Sequence, residues 1–142
     1  MARSMRNSST TSTTTTTGSP SDKFERSAPV EIVRYAELAG IACPCGTAKR
    51  GLMESPSVPY SLHLTTIAAT ARVHYHRQIT ETYLILECDK DAYLELDGER
   101  LPIEPEMAVV IPPGTRHRAV GKIKVAIVAW PKFDPDDEWF DD

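Results

Sequence analysis

A chain of 142 residues has the size of one domain, and a hydrophobic fraction of 41%, before its seven glycines are counted, belongs to a globular protein. The longest apolar runs fall far short of the roughly 20 residues that cross a bilayer, so no membrane partner is expected. A net charge of −4 argues against a nucleic-acid partner, which would demand a clustered basic face.

The charge is uneven along the chain. Residues 1–20 carry only Arg3 and Arg6, whereas residues 134–142 carry Asp134, Asp136, Asp137, Glu138, Asp141 and Asp142, so +2 and −6 leave a neutral body. Residues 8–17 are ten consecutive serines or threonines with nothing to bury, which predicts a disordered leader over residues 1–20. No apolar segment follows Arg6, which argues against a secretory signal, and unbroken threonines form no amphipathic targeting helix. Residues 21–57 read as strands and loops packing on a barrel, with one short helical signal at 35–39. From residue 58 the pattern is all-β. Leu62, Leu64 and Thr66 alternate with Ser61, His63 and Thr65; Val73 and Tyr75 alternate with Arg72, His74 and His76. Further runs follow at 83–86, 93–96, 109–111 and 124–128, and Asp97-Gly98 marks a two-residue hairpin turn. Prolines 102, 105, 112 and 113 forbid a long helix across that span. Short strands this closely spaced predict a small sandwich or barrel over residues 58–130, followed by an acidic tail over 131–142.

The chemistry concentrates in two segments. In His74-Tyr75-His76, alternate residues of a strand share a face, placing two imidazoles about 7 Å apart along the chain. Glu81 follows after four residues, enough for the chain to turn and return a carboxylate. About forty residues on, Pro112-Pro113-Gly114 makes a tight turn that delivers His117 into the next strand. Three imidazoles and one carboxylate suit a divalent Fe, Mn, Ni, Cu or Zn ion. Taken alone, His-x-His describes equally well two solvent-facing histidines on a strand.

The order His-x-His-x4-Glu and then Pro-x-Gly-x2-His resembles the paired motifs of the cupin superfamily. In that family the first motif is bracketed by glycines, and the second opens on glycine and ends on asparagine. Here those positions hold Ala68, Cys88, Glu106 and Gly121, departures that bear on turn geometry more than on the ligands. The resemblance covers residues 58–130, with a short spacer at 89–105. It implies an all-β fold, a double-stranded β-helix or jelly-roll cupin barrel, with one divalent transition metal ion held by His74, His76, Glu81 and His117. Strand alternation then points Arg72, Tyr83 and Ile85 into a substrate pocket and leaves room beside the ion at Ala119. An inward Arg72 would suit a carboxylate or phosphate, although the same side chain could equally reach out to solvent. Small cupins of this kind lead us to expect a homodimer.

Other candidates carry less. Cys43-Pro44-Cys45-Gly46 is too tight for a zinc knuckle, leaving a plain turn or a redox-active thiol pair; Cys88 reads as a small buried residue. Free thiols without a secretion signal suggest a cytoplasmic protein. Lys49 and Arg50 read as solvated surface or as an attraction for an anion near the barrel mouth. His63 reads as a half-buried strand residue. Trp139 and Phe140 mark a tail able to pack on the barrel or on a partner subunit. The functional expectation is a small metal-binding cupin acting as a metal-dependent enzyme, dioxygenase-type foremost, on a small organic molecule. A non-catalytic binder of a sugar or organic acid and a metal-dependent isomerase are the alternatives. The lack of a second carboxylate or histidine placed as general base counts against the isomerase, since Tyr83, a phenol with an ordinary pKa of about 10, is a poor base.

Overall fold

A computed structural model describes residues 11–13, 24–43, 46–68 and 70–142. Most of the expected disordered leader, and Cys45 of the suggested thiol pair, lie outside the described residues. A single 3-10 turn at Tyr35–Glu37 stands where the helical signal was read, and its Tyr35 hydroxyl donates to the Leu62 carbonyl at 2.7 Å.

Among the described residues nine strands follow: β1 (Ile41–Cys43), β2 (Gly46–Gly51), β3 (Ser61–Ile67), β4 (Thr80–Cys88), β5 (Tyr93–Leu96), β6 (Glu99–Pro102), β7 (Ala108–Ile111), β8 (His117–Val120) and β9 (Ile123–Trp130). They form a six-stranded sheet in the order β1-β2-β3-β9-β4-β7 and a three-stranded sheet in the order β6-β5-β8. Every pairing is antiparallel. This is the jelly-roll barrel that the resemblance to cupins implies. The β5–β6 hairpin turns on Asp97 and Gly98, whose φ angles of 48° and 84° supply the two positive values that such a turn needs.

The inward faces show a gradient that creates the site. Along β3, the buried residues run Ser61, His63, Thr65, Ile67; along β4 they run Glu81, Tyr83, Ile85. The register sets Ile67 against Ile123 and Ile85 against Val125, so one end of the barrel is apolar. Ile85, Leu94 and Val125 are at most 1% exposed there, and burying side chains of this kind contributes about 1.5–3 kcal/mol each. The other end collects Ser61, His63, Glu81, His76 and His117.

One expected strand is reduced. Over residues 72–76, only two isolated bridges form: His74 exchanges both backbone hydrogen bonds with His117, and Tyr75 does the same with Trp139. Successive residues face different partners, so no ladder propagates, and the chain bends away at Arg77–Gln78. The partner at Trp139 also changes the reading of the acidic tail, because residues 133–140 lie against the mouth of the barrel and close part of it.

Glu106, which stands where the second motif opens on glycine, has a φ of 68°. Its amide donates to the Ile85 carbonyl and the Ile85 amide donates to Met107, beside the register shift between Ile85 and Glu87. The backbone keeps the left-handed conformation that the motif calls for, although a side chain occupies the position.

A candidate metal centre and its cavity

His74, His76, Glu81 and His117 each present one ligand atom, and these atoms lie within 4.8 Å of one another. Each comes from a different local cause. His74 is held by its bridge to β8, and Glu81 is the second residue of β4. His117 opens β8 after the Pro112–Gly114 turn, where Gly114, at a φ of 86°, donates its amide to the His76 carbonyl at 2.7 Å. That bond ties the two motifs together.

The imidazoles are oriented by the backbone. His74 Nδ1 lies 3.1 Å from the Arg72 carbonyl, His76 Nδ1 lies 2.9 Å from that of Asp137, and His117 Nδ1 lies 2.8 Å from that of Thr115. A carbonyl only accepts, so each Nδ1 carries the proton and each Nε2 is left for the centre. Carbonyl-oriented imidazoles of this kind are typical supports of metal sites. At the centre, Glu81 Oε2 lies 2.9 Å from His117 Nε2 and 3.3 Å from His76 Nε2. The His76 atom is buried without a hydrogen bond, since its approach to the carboxylate is close but not aligned. Two nitrogen lone pairs aimed at a carboxylate require a cation between them, either a proton or a metal ion. The residues therefore fit a divalent ion, with nitrogen and oxygen donors suited to first-row transition metals.

Charges follow the same geometry. Burial alone would raise the Glu81 pKa, but the two imidazoles overcome it and hold the carboxyl below its usual range. Burial would lower His76, yet the Glu81 carboxylate and the Asp137 carbonyl leave it raised. His74 is pushed down to about 4 by burial and by His117. His63, pushed down to about 4 by burial and by the charge of Arg50, is also neutral. Its Nε2 lies 2.7 Å from the Ser61 hydroxyl, which accepts the Phe133 amide at 3.0 Å.

The cluster opens into a cavity of about 210 Å³. Arg72 and Tyr83 line it, with Arg72 at the exposed mouth and its guanidinium 4.3 Å from the centre of the Phe140 ring. Ile85 and Ala119 face inward as alternation requires, but they sit deeper, in the apolar core, and do not line this cavity. His63, Cys43 and Arg50 do line it. Glu138 and Phe133 also line it, and Asp137 supports it; sequence reasoning gave none of these three a role. Asp137 is buried and accepts the amides of Arg77, Gln78 and Ile79 at 3.0, 3.1 and 3.1 Å, pinning the bend after His76. Glu138 is half-buried, and burial with the nearby Glu81 charge raises its pKa despite His76 and Arg50. The signal for all three was the mixture of aromatics and acids in the tail, which suggests packing without saying where.

A family model described as "Cupin domain" matches residues 63–127. The crystal structure of a protein from Planctomyces limnophilus is 39% identical with a TM-score of 0.77, covering 80% of this chain and 98% of that one. The chain belongs to the cupin superfamily. The cupin barrel is also shared with Streptomyces Pac13, a nucleoside dehydratase, at 13% identity and TM-score 0.67, over 80% of this chain and 95% of that one. Ectoine synthase from P. lautus matches at 18% identity and TM-score 0.62, over 73% and 80% of the two chains. Likeness at these lower identities shows the fold alone. No curated protein matches the chain. Within this cupin, no helix among the described residues is long and apolar enough to cross a membrane.

Proposed function

We propose that this cupin is a metal-dependent enzyme that acts on a small organic molecule bound in the 210 Å³ cavity. The observation that carries the reading is the buried, unbonded His76 Nε2 in a cluster whose three imidazoles are each oriented by a backbone carbonyl. His74, His76, Glu81 and His117 would hold a divalent ion, which when bound supplies Lewis-acid polarisation of a substrate oxygen.

Glu138 bears on the reaction class. The isomerase alternative lacked a second carboxylate, and the structure provides one in the cavity wall. A half-buried carboxyl with a raised pKa is suited to accept a proton from substrate carbon and return it. This favours isomerase-type proton transfer over the dioxygenase. Phe133 lines the same cavity beside Glu138. Tyr83 supplies a second polar group in the wall.

Elemental mass spectrometry on untagged protein should find close to one metal ion per chain, and His76→Ala should lose it. Metal content in His76→Ala equal to wild type would refute the ligand assignment. Incubating wild type with small aldehydes, ketones and keto acids in deuterium oxide should wash deuterium into the carbon next to the carbonyl, and Glu138→Gln should abolish the exchange. Oxygen uptake without exchange would restore the dioxygenase reading.

A further inference from the structure

We infer that the cavity takes a small organic carboxylate, received by the guanidinium of Arg50 on a wall of the cavity that the histidine–glutamate cluster also lines. The inference deepens the proposed function and rests on the reading of this cavity as the substrate site.

Arg50 lies on β2, opposite His63 on β3, and lines the cavity. Its Nε is buried and has no hydrogen-bond partner, and among the described residues no carboxylate forms an ion pair with it. Arg116 pairs with Asp141 at 2.9 Å and Arg118 with Glu95 at 2.8 Å, whereas Arg72, Arg77 and Arg100 lie over aromatic rings as Arg50 does, and among these Arg50 alone has a buried nitrogen without a hydrogen bond. Leaving the buried Nε without an acceptor is costly, and with no carboxylate balancing its charge Arg50 is the cation of this wall open to an anionic ligand. Its Cζ stacks 4.2 Å from the centre of the Phe133 ring. Stacking fixes the plane of the guanidinium, whose in-plane Nη donors suit a carboxylate through two parallel hydrogen bonds.

The remaining wall offers an anion with a carbon body a second cation and apolar surface, against one opposing carboxyl, Glu138, which also feels the charge of Arg50. Glu81 is engaged by two imidazoles, and Arg72 adds a second cation at the mouth. Ala48, Ala71 and Ile127 offer apolar surface for the rest of the molecule. At about 210 Å³ the cavity is smaller than the roughly 300–1,000 Å³ of drug-sized pockets, which suits a small molecule.

The test is isothermal titration of the full chain, as purified, with acetate, pyruvate and benzoate, each beside the corresponding amide, with metal content measured on the same samples. At least one carboxylate should bind about tenfold or more tighter than its amide, and Arg50→Met should lose that preference. Arg50→Lys, which keeps the charge but not the fork, should fall between the two. Lys90→Met, the same charge loss on the exposed turn after β4, should bind as wild type. Equal binding of acid and amide, no binding of any carboxylate, or wild-type binding by Arg50→Met each overturns the inference. Arg50-dependent binding of inorganic phosphate in place of the carboxylates overturns the assigned class. A metal-loaded chain that ignores every carboxylate defeats this inference and leaves the proposed function standing. Arg50-dependent carboxylate binding by a chain that holds no metal does the reverse.

Discussion

Asp137 is where the C-terminal segment is locked to the barrel, and Asp137→Ala tests how much that lock contributes. Hydrogen bonds to a charged acceptor contribute about 1.5–3 kcal/mol each, so three would sum to about 4.5–9 kcal/mol away from water. Arg77 and Gln78 are exposed, and water replaces the carboxylate at their amides. Ile79 is 1% exposed, so its amide is left unpaired. The expected loss is therefore about 3 kcal/mol, a large share of the roughly 5–15 kcal/mol of a whole domain. Urea unfolding followed by circular dichroism measures it. The consequences reach the site, because the Asp137 carbonyl orients His76 and the next residue is Glu138; metal affinity should fall about tenfold or more. The pH dependence gives a second check. The Asp137 carboxyl is held below its ordinary value, burial being outweighed by the three backbone amides. Its contribution is thus present above the ordinary aspartate pKa and disappears as pH falls through the folded one, so the gap between wild type and Asp137→Ala should close in acid. A variant within about 0.5 kcal/mol of wild type at neutral pH would refute this account of the segment, since that is the range of featureless surface changes.

Three further outcomes are expected. His63, like His74, is held neutral down to about 4, whereas the unfolded imidazole takes up its proton near 6.5, so in metal-free protein His63 alone should account for a loss of at most about 3 kcal/mol as pH falls between those values. His63→Gln should flatten that part of the stability profile, and an unchanged profile would count against a neutral His63. Glu106→Gly should raise stability by up to about 1 kcal/mol in urea titration, by relieving a left-handed residue at a φ of 68°; a loss would mean that the Glu106 side chain contributes more than the backbone costs. For the proposed homodimer, the exposed Leu84, Leu86, Val110 and Trp130 offer apolar surface on β4, β7 and β9. Analytical ultracentrifugation should show twice the chain mass, and a monomer at the highest soluble concentration removes the proposal.

The sequence by itself determined the class of fold and the cluster at its centre. Period-two alternation records which face of each strand meets the core, and turn residues such as Asp97-Gly98 must adopt positive φ wherever they occur, so both are written locally. The two motifs carry His74, His76, Glu81 and His117 at spacings set by a strand and a turn, and these four residues do converge. Alternation also gave the right face for Ile85 and Ala119 but not their depth, because depth depends on where the opposite sheet lies. Only the tertiary structure decided the rest of the cavity. Asp137 and His76 are 61 residues apart, and Arg50 meets Phe133 across a still longer interval. Nothing in a local pattern distinguishes an acid dissolved in water from one that accepts three amides, or a surface arginine from one stacked and left without a partner. Those differences arise when the chain's end folds back over the barrel mouth, where long-range packing replaces water as the neighbour of each charge.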